Sequence, residues 1–246
     1  MLLRLFYYPM KGSYPMNIQG LQKLTLLDYP GKVACTVFAG GCNFRCPFCH
    51  NGDLVLRPNG YDGMTEEEFL AFLKKRAGVL DGVCVSGGEP TLQPDLPEFL
   101  ARIRDLGYLI KLDTNGSTPE ILRNLCENHL VDAVAMDVKN CRERYAETIG
   151  MPPDYDLSPI EESVEYLKSG RVSWEFRTTV ARELHRPEDL VSLAQGLQGD
   201  SKYFLQAFVS SEYVLDQRLT APSREEMQTL LNAVLPWLPN ARVRGE

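Results

Sequence analysis

Strand-like and helix-like segments alternate along most of the chain, and this alternation limits the fold more than any other feature of the sequence. Runs rich in apolar and β-branched residues are followed by segments with apolar residues at helical spacing, and the pair recurs six times. The predicted strands are 33–38, 82–86, 108–113, 131–137, 173–180 and 202–209, and the predicted helices are 65–76, 96–106, 119–127, 158–168, 187–197 and 223–235. Such alternation favours a parallel sheet with right-handed crossovers. Because six units are two short of a closed barrel, the sequence predicts an α/β fold, an open partial (β/α)6 barrel.

The composition is typical of one domain in a reducing compartment. With 246 residues and 44% hydrophobic content, we expect a single domain over residues 17–246, preceded by an N-terminal extension, 1–16. No apolar run reaches about 18 residues, so no membrane span is expected. The net charge of −7, with interspersed signs, predicts no nucleic-acid partner. Seven cysteines do not suggest a disulfide framework, which favours the cytoplasm.

Three of these cysteines, Cys42, Cys46 and Cys49, lie within eight residues, just after the first predicted strand. A loop this short brings all three sulfurs to a single point, where they can hold a metal centre. A structural zinc takes four closed ligands, and His50 is the obvious candidate for the fourth. An iron–sulfur cluster held by three cysteines leaves one iron open to a substrate. The spacing alone leaves both possibilities open.

A second motif, Gly87-Gly88-Glu89-Pro90, follows the second predicted strand. The C-x-x-x-C-x-x-C spacing with Phe48 before its last cysteine, combined with this motif, resembles the radical S-adenosylmethionine superfamily. Two flanking segments, 25–32 (TLLDYPGK) and 49–51 (CHN), are similar to activases of glycyl radical enzymes. These two segments are most similar to those of the activating proteins of anaerobic ribonucleoside-triphosphate reductase. The resemblance extends from about residue 18 to about residue 209.

The resemblance implies two cofactors. The three cysteines of the loop would hold a 4Fe-4S cluster, whose open iron is chelated by the amino and carboxylate groups of S-adenosylmethionine. Phe48 matches the aromatic position beside the adenine. Gly87 and Gly88 carry no Cβ and let the backbone approach a ligand closely. Glu89 would accept a hydrogen bond from the methionine ammonium.

Further cofactor-binding residues are implied at the ends of the next two strands. Asp113, Thr114 and Asn115 resemble the family's ribose- and carboxylate-facing segment. Asp113 and Asp137 also resemble the paired aspartates that hold a monovalent cation in pyruvate formate-lyase activase. Lys139 lies two residues past Asp137 and shares its face if the strand continues. There it could meet a carboxylate or the backbone of the partner.

Two residues are implied on the last two predicted strands. Arg177 lies in an apolar strand, where a guanidinium needs an anionic partner, and the family's corresponding arginine helps to bind the cofactor. Gln206 occupies a similar place in the last strand, where pyruvate formate-lyase activase has a histidine. This departure from the family puts the contact of Gln206 in doubt.

The positions of the motifs support one shared site independently of the resemblance. In parallel β/α architectures, active-site residues gather at the carboxyl ends of the strands. The cysteine loop follows the first predicted strand, and the segments 87–90, 113–116 and 137–139 follow the next three. We therefore expect these four segments to meet.

The implied reaction is the reductive cleavage of S-adenosylmethionine to methionine and a 5′-deoxyadenosyl radical. This radical would abstract a hydrogen from the α-carbon of a glycine in a partner, a glycyl radical enzyme for which anaerobic ribonucleotide reductase is favoured. The expected electron donor is a flavodoxin- or ferredoxin-type protein. Two alternatives are a radical enzyme acting on a small molecule, of the 7-carboxy-7-deazaguanine synthase type, and a non-catalytic zinc or electron-transfer module.

Overall fold

An open eight-stranded sheet is the centre of the fold. The computed structural model describes residues 15–59, 63–199 and 201–245. The strands, hydrogen-bonded in chain order, are β1 (Ile18–Thr25), β2 (Ala34–Ala39), β3 (Gly82–Gly87), β4 (Leu109–Thr114), β5 (Ala133–Asp137), β6 (Ser173–Val180), β7 (Tyr203–Ala207) and β8 (Arg242–Arg244). β1 runs antiparallel to β2, and every later pair is parallel. Because β1 and β8 are the two ends of this order, the sheet does not close into a barrel.

The helices follow the strands in the order expected for crossover connections. They are α1 (Gly52–Leu56), α2 (Glu66–Lys75), α3 (Leu96–Asp105), α4 (Pro119–Glu127), α5 (Arg142–Thr148), α6 (Ser158–Lys168), α7 (Pro187–Leu197) and α8 (Arg224–Val234). Thr65 and Ser223 begin α2 and α8 with reciprocal caps, each side chain accepting from the backbone of the glutamate three residues later. These two caps fix the starts of their helices.

The predicted α/β fold with an open sheet is confirmed. The six predicted strands are β2 to β7, and the six predicted helices are α2, α3, α4, α6, α7 and α8. The sequence did not predict β1, β8, α1 or α5. β8 has only three residues and α1 five, while α5 (RERYAET) is almost wholly polar. Their apolar patterns are too short or too sparse to indicate a period.

The hydrophobic core fills the space between the sheet and the helices. Phe69 of α2 and Phe99 of α3 are both fully buried, with ring centroids 5.6 Å apart. Cys35 of β2 and Cys84 of β3 are fully buried as well. Cys35 packs in the core as a small hydrophobic side chain, whereas Cys84 Sγ lies 3.9 Å from Lys111 Nζ.

The start of the described chain belongs to the packed domain. Met16 is buried, and its amide N–H donates to Glu66 at 2.7 Å. The predicted extension covers residues 1–16, of which 1–14 lie outside the described residues. Within the described ranges, no helix combines the length and the apolar composition that crossing a bilayer requires.

Candidate functional site

One cavity at the carboxyl ends of β2 to β6 brings the predicted site residues together. The predicted residues that line it are Cys42, Cys46, Phe48, Cys49, Gly87, Gly88, Glu89, Asp113, Thr114, Asn115, Asp137, Lys139 and Arg177. Gln206 lies on β7 beside Thr179, which lines the cavity, whereas Gln206 itself does not. The cysteine loop and the segments 87–90, 113–116 and 137–139, which we expect to meet, thus lie around one cavity.

The cysteine loop connects β2 to α1 and is tied to its surroundings through its backbone. Gly41 N–H donates to the carbonyl of Leu54 at 2.8 Å, which holds the loop against α1. Arg45 N–H donates to the carbonyl of Ile149, at the end of α5, also at 2.8 Å. Two elements that the sequence did not predict, α1 and α5, therefore position the predicted ligands.

The three thiols of the loop are held in partly or fully buried positions. All seven cysteines of the chain are free thiols. Burial raises the pKa of Cys42 to about 11 and that of Cys46 to about 12, so without a metal these thiols hold their protons at pH 7. The backbone N–H of Phe44, at 3.4 Å, and Asn115 Nδ2, at 3.8 Å, both point at Cys42 Sγ. A metal centre would bind these groups as thiolates and release their protons.

The arrangement of the thiols separates the two metal centres that the spacing left open. Sulfurs bound to one zinc lie within about 4 Å of one another, because each Zn–S bond is about 2.3 Å long. No group of three or more His, Cys, Asp or Glu side chains within residues 15–59, 63–199 and 201–245 is placed to hold a single metal ion. His50 instead stacks on Phe208, with ring centroids 5.6 Å apart. His50 is thus not grouped with the three thiols as the fourth ligand of a zinc ion, and Cys42, Cys46 and Cys49 all line the same cavity.

Gly87 and Gly88 are required by the backbone of the cysteine loop. A Cβ on Gly88 would lie 1.9 Å from the carbonyl oxygen of Gly41, and one on Gly87 would lie 2.3 Å from the amide nitrogen of Ala39. Gly87 also has φ of +123°, which favours glycine. We predicted that these glycines admit a ligand. The structure shows that they first admit the end of β2 and the start of the cysteine loop. The Ala39 carbonyl accepts from the Gly88 amide, and the Gly41 carbonyl accepts from the Glu89 amide.

Glu89 is almost completely buried, at 1% exposure, and neutral donors surround its carboxylate. Oε1 accepts from the Thr91 hydroxyl at 2.6 Å, the Thr91 amide at 3.1 Å and the Thr114 hydroxyl at 2.8 Å. Oε2 accepts from the backbone N–H of Asn115 at 2.6 Å. Burial nevertheless raises the pKa of Glu89, because these bonds only partly offset the loss of water. Oε2 has the fewer donors and is the atom with room for a ligand ammonium.

The opposite wall carries a chain of alternating charges. Arg177 on β6 joins two aspartates: Nη1 lies 3.2 Å from Asp113 Oδ2, and Nε lies 2.9 Å from Asp137 Oδ1. Lys139 Nζ lies 3.0 Å from Asp137 Oδ2. Lys111 Nζ contacts Asp113 Oδ1. The anionic partner expected for Arg177 is therefore a pair of carboxylates, and Lys139 shares the face of Asp137 as expected.

The charges of this wall keep its carboxylates ionised despite their burial. Burial by itself would raise the pKa of Asp113, but Arg177 and Lys111 outweigh it and hold the value at about 2. Burial also opposes the ionisation of Asp137, whose pKa is lowered by Arg177 and Lys139. Both aspartates therefore carry a negative charge throughout the physiological range.

Lys111 is a site residue that the sequence analysis missed. It is 2% exposed and lies on β4, two residues before Asp113. Since residues two apart share a face of a strand, a lysine at this position in an otherwise apolar strand was the signal that could have revealed it. The structure makes it the fifth member of the charged wall.

The backbone of Lys139 is held by a buried histidine. His185 Nδ1 accepts from the backbone N–H of Ala181 at 3.2 Å, which leaves Nε2–H to donate to the Lys139 carbonyl, 2.8 Å away. Burial lowers the pKa of His185, so the ring stays neutral and keeps this arrangement. Phe48 packs edge-on against the same ring, and Lys139 Nζ lies 5.7 Å from the Phe48 centroid. His185 is thus a structural residue that supports the backbone of Lys139.

The segment 25–32 lies away from the cavity. It links the end of β1 to the start of β2, and therefore occupies the amino ends of the parallel strands. Thr36 donates its hydroxyl to Asp28 at 2.5 Å, and Tyr29 is buried, whereas Leu26 and Leu27 are exposed. This family-like segment makes no contact with the lining of the cavity among the hydrogen bonds of its described residues.

Comparison with known proteins identifies similar chains. The sequence model of the Radical SAM superfamily matches residues 36–185. A Methanocaldococcus jannaschii protein, named provisionally as a glycyl-radical enzyme activating enzyme, is 32% identical over 235 residues, which cover 92% of this chain and 95% of that protein. The pyruvate formate-lyase-activating enzyme of Listeria monocytogenes is 27% identical over 192 residues, or 74% of this chain and 76% of the enzyme.

Solved structures resemble the fold at low sequence identity. Streptococcus suis SuiB bound to S-adenosylmethionine has a TM-score of 0.67 at 14% identity, and the alignment covers 85% of this chain but only 50% of SuiB. The protein anSMEcpe with bound AdoMet has a TM-score of 0.57 at 19% identity, with coverage of 84% of this chain and 62% of that one. These similarities concern the fold of the shared region.

Proposed function

The chain belongs to the radical SAM superfamily, and we propose that it generates a glycyl radical on a partner enzyme. One observation carries the proposal: the similarity to a protein named for glycyl-radical enzyme activation covers 92% of this chain and 95% of that protein. The similarity thus extends over nearly the whole of both chains and beyond residues 36–185, which the superfamily model matches.

The cofactors of this superfamily are a 4Fe-4S cluster and S-adenosylmethionine, and the residues present fit them. Cys42, Cys46 and Cys49 are the ligands for the cluster, and all three line the cavity. When bound, the reduced cluster supplies the electron that cleaves S-adenosylmethionine to methionine and a 5′-deoxyadenosyl radical. The chain itself has to hold the sulfonium compound in place and keep the cavity closed to competing reactions.

The two walls of the cavity suit the two ends of the methionine group. Glu89 Oε2 has room to accept from an ammonium, since one amide is its only donor among the hydrogen bonds described above. Arg177 and Lys139 bring positive charge to the opposite side, which favours a carboxylate. Phe48 offers an aromatic ring for the adenine, and Gln206 would reach the cofactor only from beyond the present lining.

The partner we favour is anaerobic ribonucleoside-triphosphate reductase, and the proposed electron donor is a flavodoxin- or ferredoxin-type protein of the cytoplasm. The segments 25–32 and 49–51 support this choice of partner. A glycine α-hydrogen is a suitable target because the carbon radical is delocalised over the two flanking amides. The open sheet leaves a side through which a glycine-bearing segment can reach the cavity.

The test is an anaerobic reaction of reconstituted protein with dithionite, S-adenosylmethionine and the reductase. The electron paramagnetic resonance spectrum is recorded, and 5′-deoxyadenosine is assayed. We expect a glycyl doublet on the reductase together with 5′-deoxyadenosine. A reductase whose target glycine is replaced by alanine is the control and should give no doublet.

The two products separate the proposal from its rivals. Formation of 5′-deoxyadenosine without a doublet would reject this reductase and direct the search to other glycyl radical enzymes or to a small-molecule substrate. If protein with a full cluster forms neither product, the proposed chemistry is wrong.

A further inference from the structure

The charged wall leaves no place for the monovalent cation that paired aspartates would otherwise bind. Each of the four carboxylate oxygens of Asp113 and Asp137 already contacts a side-chain cation. Ser86 adds a hydroxyl donor to Asp113 Oδ2 at 3.2 Å. We propose that Lys111 takes the place of the monovalent cation, so that S-adenosylmethionine binding by this chain needs no added metal ion.

The balance of charge supports this proposal. Three buried cations, Lys111, Lys139 and Arg177, face the two aspartates, so the wall has a net charge of about +1 if all five groups are ionised. A bound sodium or potassium ion would add a further positive charge to a site that water reaches poorly, where like charges repel strongly. Without Lys111 the remaining four charges cancel, and Asp113 Oδ1 loses the cation that it contacts.

Lys111 lies two residues before Asp113 on β4, on the same face of the strand. It also lines a separate cavity at the amino ends of β5 and β6, together with Trp174 and Lys202. Its ammonium contacts Asp113 Oδ1 and lies 3.9 Å from Cys84 Sγ. A fixed ammonium of this kind is placed by the strand itself, whereas a free ion has to be recruited from solution.

Lys111 is therefore a positioning residue that acts through Asp113. The proposal rests on the binding of S-adenosylmethionine and not on the identity of the protein partner. An absent glycyl doublet would leave it intact, and a dependence of S-adenosylmethionine binding on added cations would overturn it while leaving the activase proposal intact.

The experiment measures the affinity of cluster-loaded protein for S-adenosylmethionine by anaerobic calorimetry. It uses chlorides of sodium, potassium, ammonium and tetramethylammonium at equal ionic strength, since tetramethylammonium is too bulky for the site. Lys111→Ala opens a space beside Asp113, and Lys111→Met fills the same space with an apolar chain. Lys202→Ala is the matched control, because it removes an exposed cation from the cavity at the amino ends of β5 and β6.

We expect the affinity of the unsubstituted protein to be the same in all four salts. Lys111→Ala should bind about tenfold more weakly in tetramethylammonium, consistent with the loss of one buried charge interaction, and small cations should restore most of the affinity. Lys111→Met should be weakened and not restored, and Lys202→Ala should be unchanged.

Two results would overturn the proposal. Weaker binding by the unsubstituted protein in tetramethylammonium would show that it recruits an ion of its own. Weakened binding by Lys111→Ala that no small cation reverses, together with unchanged binding by Lys111→Met, would reduce Lys111 to a packing role. Cluster absorbance and circular dichroism of each variant confirm that folded, loaded protein is compared.

Discussion

Each of the two walls of the cavity buries a carboxylate at the end of a strand. The walls differ in how they compensate for the loss of water around it. Asp113 is surrounded by cations, and its pKa is held at about 2, whereas Glu89 receives only neutral donors, and burial raises its pKa. Opposite charges therefore compensate for desolvation fully, and hydrogen bonds from hydroxyls and amides compensate for it only in part.

The difference matters for what each wall can do. Every carboxylate oxygen of the charged wall contacts a side-chain cation, so this wall is suited to positioning. The Glu89 wall has an anion whose charge is incompletely compensated, so an arriving ammonium would gain from it. The same contrast predicts that the two walls respond to substitution and to pH in opposite directions.

Replacing Arg177 should have the largest effect on stability. Arg177→Met removes the cation that joins Asp113 to Asp137 and leaves two carboxylates buried with less compensation. Breaking a buried ion pair on one side costs about 3–5 kcal/mol. Denaturant unfolding at pH 7 measures this cost. Arg182→Met, which breaks an exposed pair with Glu226, is the matched control and should cost only a small fraction as much.

The cost of Arg177→Met should also depend on pH. The folded pKa of Asp113, about 2, lies below its unfolded value of about 3.9. Its contribution to stability is therefore present above pH 4 and is lost as the pH falls toward 2. Without Arg177 burial is less compensated and raises this pKa above the unfolded value. The variant then takes up the proton between pH 7 and pH 4, so its cost shrinks over that range. An identical cost at both pH values would contradict the charged-wall description.

Gly88→Ala should have the next largest effect, because the backbone of residues 88 and 89 packs closely against the start of the cysteine loop. The new methyl group would overlap the carbonyl oxygen of Gly41 and push the cysteine loop away. Overpacking of this kind costs about 1–3 kcal/mol, and the displaced loop should bind less iron on reconstitution. Gly196→Ala is the control, because its methyl group meets nothing within 4 Å and a helical position favours alanine. Normal iron content in Gly88→Ala would show that the loop does not need this contact.

The fold could be predicted from the sequence more completely than the site. The strands and helices with a clear apolar period were predicted to within a few residues, because each buries a face that shows in its own sequence. The strand-end motifs located the cavity for the same reason. Lys111 was missed although its spacing from Asp113 was available. Two of the donors to Glu89, Thr114 and Asn115, could not be predicted, because they are distant in sequence and meet it only through the pairing of β3 with β4.

Glu89→Gln should have the smallest effect of the three and the opposite pH trend. The glutamine side chain keeps one acceptor oxygen, but its NH2 group replaces the other oxygen and faces the donors around it. This mismatch costs about 1–3 kcal/mol. Because the folded pKa of Glu89 is raised, its contribution to stability is fully present below its unfolded value of about 4.3 and is lost as the pH rises through the folded value. The cost of Glu89→Gln should therefore fall from pH 4 to pH 7, whereas that of Arg177→Met rises. Glu165→Gln changes the same atoms at an exposed ion pair with Lys168 and should show neither trend. Parallel trends in the two cavity variants would mean that both carboxylates are compensated in the same way, and the distinction between the walls would be lost.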